Sequence, residues 1–191
     1  MKRLLKILFI IGLLLSSIGL LRISYYHVKA EVAQVLLESA WQDNVENNPK
    51  VPSKPWSWAD TWPVLKLEAN TIQLSTLVLK DASGQSLAFA PGLMTPDLLP
   101  GDIGNSFIAA HRDTHFKDLK FLKNEDEIQI TNQLGEKIFF QIDQILIVDS
   151  RTEQPVTDTA DRRITLVTCY PFDASEANTP FRYLVSARMI N

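Results

Sequence analysis

The stretch ITLVTCYP, residues 164–171, says most about the fold and chemistry of this chain. Its first five residues are β-branched or apolar, which predicts a β-strand. The proline after Tyr170 predicts that the strand ends there, because proline cannot donate a ladder hydrogen bond. Cys169 therefore lies at a strand end, where a side chain emerges at the rim of a sheet.

Cys169 is the only cysteine among the 191 residues. A single thiol excludes an intramolecular disulfide framework and a cysteine-based zinc cluster. Two interpretations remain open for it. One is a small buried apolar residue, which is the common fate of a free cysteine. The other is a nucleophile, which needs a neighbouring base to favour its thiolate.

Two other segments place polar side chains at the ends of β-rich runs. His111 closes the run FIAAH, residues 107–111, and Arg182 stands at the start of the last β-rich run. The alternative interpretation of Arg182 is an ordinary surface charge on a strand. His111 and His115 are four residues apart, but no third ligand pattern and no HExxH motif accompany them. We therefore expect no metal site here.

The pattern of the second half of the chain predicts a series of short strands. Residues 127–131 and 137–143 flank the sequence QLGE, which predicts a hairpin turn. Further β-rich runs are 72–78, 106–110, 164–168 and 183–190, and no long amphipathic helix interrupts them. This pattern favours one all-β domain, a closed barrel or a sandwich. The acidic cluster 125–127 is interpreted as a solvated turn, with calcium binding as the alternative.

The N-terminal segment is apolar from residue 4 to residue 21, and Lys2, Arg3 and Lys6 precede or open it. As a helix this run spans roughly 27 Å, close to the thickness of a bilayer core. The positive-inside rule leaves the N-terminus in the cytoplasm. The alternative is a signal peptide cleaved near Val28-Lys29-Ala30. Either way the following domain lies outside the cytoplasm.

The predicted organisation has five parts. They are a cytoplasmic tail (1–3), a transmembrane signal anchor (4–22), a helical stalk (23–47), a Pro/Trp-rich linker (48–61) and the β domain (62–191). We expect the linker tryptophans to pack against the domain, with a membrane-interface position as the alternative. The net charge of −3 disfavours a nucleic-acid partner. The absence of GxGxxG and Walker patterns disfavours a nucleotide, and no cofactor is expected.

Taken together, these features resemble the sortase family of membrane-bound transpeptidases. The resemblance covers residues 62–191 and rests on TLVTC, on AAHRDTHF before it, and on an arginine early in the final strand. The stalk 29–41 and the Trp-rich linker are similar to the Gram-negative sortases of marine proteobacteria. The resemblance implies a closed β-barrel of about eight strands. It implies the catalytic set His111, Cys169 and Arg182, and substrate-binding positions at Thr168, Thr165, Ala110 and Tyr170.

The resemblance also implies a substrate and a location. Sortases cut an LPxTG-like signal near the C-terminus of secreted proteins, between Thr and Gly, and transfer the acyl group to an amine on peptidoglycan or protein. The implied location is the inner (plasma) membrane, crossed once, with the catalytic domain in the periplasm or otherwise extracytoplasmic. Asp60-Thr61-Trp62 lacks the proline of the lid found in pilus-building sortases. We therefore do not expect a pilin polymerase.

Two alternatives remain on the sequence alone. One is another extracytoplasmic thiol enzyme, such as an L,D-transpeptidase or a cysteine protease. The first of these expects a Ser-His-Gly-Cys motif, whereas Thr168 precedes Cys169 here. The other is a non-enzymatic, membrane-tethered β module that binds an envelope partner. It predicts an unreactive Cys169.

Overall fold

The computed structural model describes residues 2–47, 49–174, 176 and 179–190, without most side chains of residues 1–28. The chain divides into two compact units, residues 1–36 and 37–191. The first unit is helical. The second contains the end of the same helix and the strands.

Helix α1 extends from Lys2 to Asn47. Within the described residues, no helix combines the length and the apolar character that crossing a bilayer requires. Most side chains of the predicted anchor, residues 4–22, lie outside the described part of the chain. The last turns of α1 belong to the second unit, where Leu37 and Trp41 are buried.

Eight strands follow α1 in the part of the chain that the structure describes. Short 3-10 turns at Asn70–Ile72, Ser86–Ala88 and Leu119–Phe121 lie between them. The strands are β1 Pro63–Ala69, β2 Leu74–Leu79, β3 Gly92–Leu93, β4 Gly104–Ala109, β5 Glu127–Asn132, β6 Lys137–Asp149, β7 Arg162–Tyr170 and β8 Phe181–Met189.

The strands close into one barrel in the order β1-β2-β3-β4-β7-β8-β6-β5. This confirms the closed eight-stranded barrel expected from the sequence. Most neighbouring strands are antiparallel, but β2 runs parallel to β3 and β4 runs parallel to β7. Because parallel strands end at the same edge of a sheet, the C-terminal ends of β4 and β7 meet at one rim of the barrel.

The barrel interior is a single apolar cluster drawn from strands all around the barrel. Its members include side chains with no solvent exposure from β1, β4, β5, β6, β7 and β8, namely Leu67, Ile108, Ile128, Phe140, Leu166 and Val185. Truncating one such side chain to alanine costs about 2–5 kcal/mol, because a cavity is left behind. This interior fixes the strands whose rim carries the polar residues.

The second half of β2, residues 77–79, is apolar on both faces for a structural reason. Val78 points into the barrel cluster. Leu77 and Leu79 belong to a second cluster, in which they pack against Leu37 and Trp41 of α1. The end of α1 therefore covers the outer face of β2.

Strand β6 is longer than its sequence pattern predicts, since it continues from residue 143 to Asp149. The register of β6 against β8 shifts between Ile142 and Gln144, which is a β-bulge. A bulge adds one residue to one strand, so the side-chain alternation changes phase. Ile142 faces the core before the bulge and Ile145 packs against it afterwards. A regular alternation therefore does not extend through the strand.

The Trp-rich linker packs against the β domain. The ring of Trp56 lies 5.0 Å from that of Phe89 and 5.3 Å from that of Trp58, measured between centroids. Trp62 packs against the barrel core. Trp58 remains largely exposed, with 73% of its surface accessible.

Candidate active site

Cys169 lies on the outward face of β7, one residue from the end of the strand. Ile164 and Leu166 point into the barrel core. The alternating residues Thr165 and Val167 line a cavity on the opposite face. Side chains alternate along a strand, so Cys169 continues that outward face. Its thiol is free and half-buried.

Arg182 stands directly opposite Cys169 in the antiparallel pair of β7 and β8. Directly opposed residues project to the same face of a sheet, with Cβ atoms about 4.5–5.5 Å apart. The Nη1 of Arg182 donates to the carbonyl oxygens of Thr179 at 2.6 Å and Phe181 at 2.9 Å. These bonds hold the guanidinium at the start of β8, where it lines the cavity.

His111 lies two residues beyond β4, at the same rim. Ala109 is paired with Val167 in the parallel register, and the N–H of Ala110 donates to the carbonyl of Val167 at 3.2 Å. Continuing that register by two residues sets His111 beside Cys169. His111 is exposed. The adjacent β4, β7 and β8 thus bring together the three residues predicted as the catalytic set.

The residues predicted to bind substrate are divided between the two faces of the sheet. Thr165 lines the cavity. Thr168 points to the opposite face, where it is 2% exposed and its Oγ1 donates to the carbonyl of Ala110 at 2.7 Å. Ala110 is itself buried. Among the described residues, neither Thr168 nor Ala110 lines the cavity, and their hydrogen bond fastens the segment before His111 to β7.

Tyr170 lies on the face of the strand that Thr168 shares, next to two aromatic rings. It stacks on Tyr183 with centroids 6.3 Å apart, and its ring meets Phe172 edge-on at 6.4 Å. Burial, and then the neighbouring Tyr170, raises the pKa of Tyr183. The peptide bond between Tyr170 and Pro171 is cis. In the described structure Tyr170 supports the rim and does not line the cavity.

The cavity has a volume of about 460 Å³ and ends beside Arg182. Its floor is formed by outward side chains of four adjacent strands, and its far wall by the connection between β6 and β7. The floor is mostly apolar and includes Phe107, Leu146, Val167 and Leu184. Ser150, Glu153 and Val156 belong to the wall.

A polar cluster closes the end of the cavity away from Cys169. Thr165 Oγ1 donates to the Oδ1 of Asn105 at 3.0 Å and lies 2.9 Å from the Oγ of Ser186. The Nδ2 of Asn105 donates to the carbonyl of Val156 at 3.3 Å. Asn105 thus holds the cavity wall to the floor.

The other end of the wall is held near Arg182. The N–H and the hydroxyl of Ser150 both donate to the carbonyl of Pro180, at 2.9 Å and 2.7 Å. Hydrogen bonds from the side chain and the backbone of Arg151 lower the pKa of Asp149 from 3.8 to about 2. The wall is therefore fixed to Pro180, the residue immediately before β8.

His115 is close enough to His111 for their charges to interact. Burial lowers the pKa of His115 below its ordinary value of 6.5, and the charge of His111 lowers it further. A hydrogen bond involving the backbone of Phe89 opposes this shift. The His115 ring is therefore held towards its neutral form near neutral pH.

Arg112 was not identified as a site residue from the sequence. It is 9% exposed, and its guanidinium donates to the segment that connects β7 to β8. The acceptors are the carbonyls of Ala174, at 2.8 Å, and Glu176, and the Oγ1 of Thr179, at 3.3 Å. Its position after His111 was the only signal in the sequence, and it did not distinguish a buried cation from a surface charge.

Within the described residues, no group of three or more His, Cys, Asp or Glu side chains is arranged to hold a metal ion. In the acidic cluster 125–127, Asp126 accepts hydrogen bonds from the N–H of Lys123 at 2.8 Å and from the Oγ1 of Thr71 at 3.2 Å. This carboxylate therefore organises a turn of the barrel.

The fold and the site define a closed β-barrel protein with a candidate thiol active site. A model of the sortase domain matches residues 67–190. This match covers well over half of the chain, and the chain belongs to the sortase family. The family predicted from the sequence is confirmed, while the Gram-negative subgroup stays a prediction.

One curated relative is sortase D of Bacillus subtilis (strain 168). It is 25% identical over 125 residues, and the match covers 65% of this chain and 62% of the relative. The chain thus spans less than two thirds of that relative's length.

Solved structures share the fold. A sortase D5 transpeptidase from Clostridium perfringens superposes with a TM-score of 0.67 at 20% identity, covering 84% of this chain and 99% of that one. Sortase A from Corynebacterium diphtheriae gives a TM-score of 0.62 at 24% identity, covering 84% and 85%.

Proposed function

We propose that this chain is a cysteine transpeptidase that cleaves a sorting signal in secreted proteins and transfers the acyl group to an amine. The observation that carries the proposal is the pairing of Cys169 with Arg182 across β7 and β8, with His111 two residues beyond β4, the strand that runs parallel to β7. Membership of the sortase family supports the same reading. A cavity that Arg182 helps to line offers a place for an extended peptide.

The first half of the reaction forms a thioester. The thiolate of Cys169 attacks the carbonyl carbon of the scissile peptide bond, and the electron pair of that carbonyl moves onto its oxygen. Arg182 donates hydrogen bonds to this oxyanion. When the tetrahedral intermediate collapses, the C–N bond breaks and the His111 imidazolium gives its proton to the leaving nitrogen.

The second half releases the product. The nitrogen of an acceptor amine attacks the thioester carbonyl, and neutral His111 takes the proton that this nitrogen loses. Collapse of the second intermediate expels the Cys169 thiolate and leaves a new amide. If water attacks instead of the amine, the product is a carboxylic acid.

The cavity supports a peptide with an apolar segment before the scissile bond. Its apolar floor extends across β4, β7, β8 and β6, and Arg182 is one of its lining residues. His111 lies on the β4 side and is exposed, which suits the departure of one amine and the entry of another. We therefore place the acyl part of an LPxTG-like signal in the cavity, with the cut between Thr and Gly. The acceptor amine belongs to peptidoglycan or to a protein.

We further propose that residues 4–22 anchor the chain in the inner (plasma) membrane with the N-terminus in the cytoplasm. The support is the apolar run of residues 4–21, which basic residues open and no acidic residue interrupts. The barrel then faces the periplasm or another extracytoplasmic space, where secreted proteins are accessible.

The test uses the full chain in detergent with a library of LPxTG-like peptides and an added amine. We expect mass spectrometry to show a thioester on Cys169 and an aminolysed peptide, and Cys169→Ala to give neither. Cleavage without any amine product would point to a cysteine peptidase. An unmodified, unreactive Cys169 in a folded chain would contradict the proposal and favour a binding module.

A further inference from the structure

Arg112 joins the segment after β4 to a part of the chain that lies far away in sequence. It follows His111 directly and reaches the connection between β7 and β8. Its acceptors there, Ala174, Glu176 and Thr179, are 62 to 67 residues further along the chain. This connection begins just after Cys169 and ends just before Arg182.

The chemistry of these contacts is unusual for a buried charge. Arg112 is 9% exposed, yet its partners are two backbone carbonyls and one hydroxyl. Among the described residues, no carboxylate forms a salt bridge with it. Burying a cation among neutral acceptors is costly, and the guanidinium suits this place because its rigid fork carries five donors. A lysine offers a single nitrogen, which cannot span the same acceptors.

Thr179 connects the two arginines. Its Oγ1 accepts from the Nη1 of Arg112 at 3.3 Å, and its carbonyl accepts from the Nη1 of Arg182 at 2.6 Å. Thr179 is itself buried. The next residue, Pro180, accepts both hydrogen bonds of Ser150. Thr179, which Arg112 holds, therefore helps to place Arg182.

We infer that Arg112 is a positioning residue that keeps the guanidinium of Arg182 directed at the oxyanion site beside Cys169. The inference rests on the proposed function. Arg112 is not among the described residues that line the cavity, and it acts through Thr179. Small displacements of a donor in an active site reduce rate strongly, because the oxyanion is stabilised only when donors are already in place.

The expected signature is a loss of kcat with little change in KM. The cavity floor comes from strands that do not depend on Arg112, so the peptide still binds. We expect Arg112→Gln to lower kcat of the full chain by about 10- to 100-fold while KM changes by less than about 3-fold. Arg112→Lys retains only slightly more kcat than Arg112→Gln. Thr179→Val, which removes a single acceptor, lowers kcat by about 2- to 5-fold.

A double-mutant cycle separates positioning from a general loss of structure. The cycle combines Arg112→Gln with Arg182→Lys. If Arg112 acts through Arg182, Arg112→Gln lowers kcat by about 10- to 100-fold in the wild type but by less than about 3-fold in the Arg182→Lys background. Equal costs in both backgrounds would overturn the inference, as would a kcat of Arg112→Gln within 3-fold of the wild type.

Arg163→Gln is the matched control. Arg163 is another largely buried arginine, at the opposite end of β7, and it pairs with Asp143 and Asp161. Its replacement removes salt bridges and lowers the melting temperature, but we expect kcat within 2-fold of the wild type. If Arg112→Gln does not fold, Arg112→Lys and Thr179→Val enter the cycle in its place.

The two proposals fail in different ways. A wild-type chain that forms no thioester with any peptide contradicts the proposed function, and the positioning role falls with it. A wild-type chain that forms the thioester, with additive effects of Arg112 and Arg182, leaves the transpeptidase standing and overturns the positioning role alone.

Discussion

At the scale of single residues, Arg182 offers the most direct test of the rim. Its Nη1 already donates to two backbone carbonyls, so the guanidinium is held before any substrate arrives. We expect Arg182→Gln to lower kcat by about 10²–10³-fold, the usual cost of removing one oxyanion donor. Steady-state kinetics with the best library peptide measures this loss. Arg188→Gln, on the same strand at its far end, is the control and keeps its activity.

Alkylation of Cys169 by iodoacetamide gives a second readout for Arg182→Gln. The reaction of the thiolate with a small reagent does not require an oxyanion donor, so its rate stays close to that of the wild type. A fall in alkylation as large as the fall in kcat would mean that Arg182 acts on the thiolate instead.

The lowered pKa of His115 predicts that the folded chain is less stable in acid. Its folded-state pKa lies below the ordinary value of 6.5, first because the ring is buried and second because His111 is near. As the pH falls through 6.5, the unfolded chain takes up this proton before the folded chain does, so stability declines. We expect the melting temperature to fall between pH 7 and pH 5, and His115→Gln to flatten that slope. Parallel slopes for the two proteins would show that His115 does not titrate in this way.

In the sequence, Cys169 and His111 close β-rich runs and Arg182 opens one, and the resemblance to sortases implied these three as the catalytic set. The sequence did not indicate Arg112 or Thr179, whose contacts join segments 67 residues apart and leave no local periodicity. The resemblance also implied a substrate-binding position at Thr168, whose buried hydroxyl donates to the carbonyl of Ala110 in the structure. Adjacent residues of a strand face opposite sides. The side on which Thr168 lies could be assigned only once the structure showed that Cys169 faces outward.

At the scale of the elements, the start of β4 depends on Gly104. Its φ is +123°, and a Cβ there would lie 2.9 Å from the carbonyl oxygen of Thr157 and 3.1 Å from a methyl of Leu98. We expect Gly104→Ala to destabilise the fold by about 1–3 kcal/mol through backbone strain alone. Because Thr157 belongs to the connection that walls the cavity, KM should also rise several-fold. Denaturant unfolding and peptide kinetics measure the two effects.

Gly84→Ala is the control for that substitution. A Cβ at Gly84 would meet nothing within 4 Å, and its backbone lies outside the left-handed region. Its stability and KM should match those of the wild type. A Gly104→Ala chain that is equally stable would mean that the connection around Thr157 shifts freely, and the cavity wall would then be softer than its hydrogen bonds indicate.

The strands themselves were predictable where one face meets the core and the other meets solvent. The hairpin between β5 and β6 turns at residues 133–136 with Gly135 at a φ of 77°, as QLGE predicted. β6 was only half predicted, because its bulge changes the phase of the alternation. β1 and β3 were not among the predicted runs, and the two residues of β3 are too few for a pattern. These strands depend on pairing with other strands, and local sequence patterns do not record that pairing.

At the scale of the whole molecule, the barrel creates the site by bringing distant strands together. β4 and β7 are neighbours in space, although Ala109 and its partner Val167 are separated by two other strands in the chain. Alternation and turn signals predicted a barrel or sandwich, and the family resemblance narrowed this to a closed barrel. Neither the composition nor the periodicity contained the strand order, because that order depends on how the strands pair.

The end of α1 determines where the folded unit begins. Leu37 and Trp41 cover Leu77 and Leu79 of β2, and the second compact unit starts at Leu37. A chain of residues 37–191 should therefore unfold at the same denaturant midpoint as the full chain. A chain of residues 49–191 exposes the outer face of β2, and we expect its free energy of unfolding to fall by about 3–5 kcal/mol, comparable to truncating a buried aromatic side chain.

Within the full chain, Trp41→Ala should reproduce most of this loss, whereas Val35→Ala, at a position 67% exposed, should be neutral. If both fragments were equally stable, the helix would be dispensable for the barrel, and its contacts with β2 would contribute far less than their burial implies.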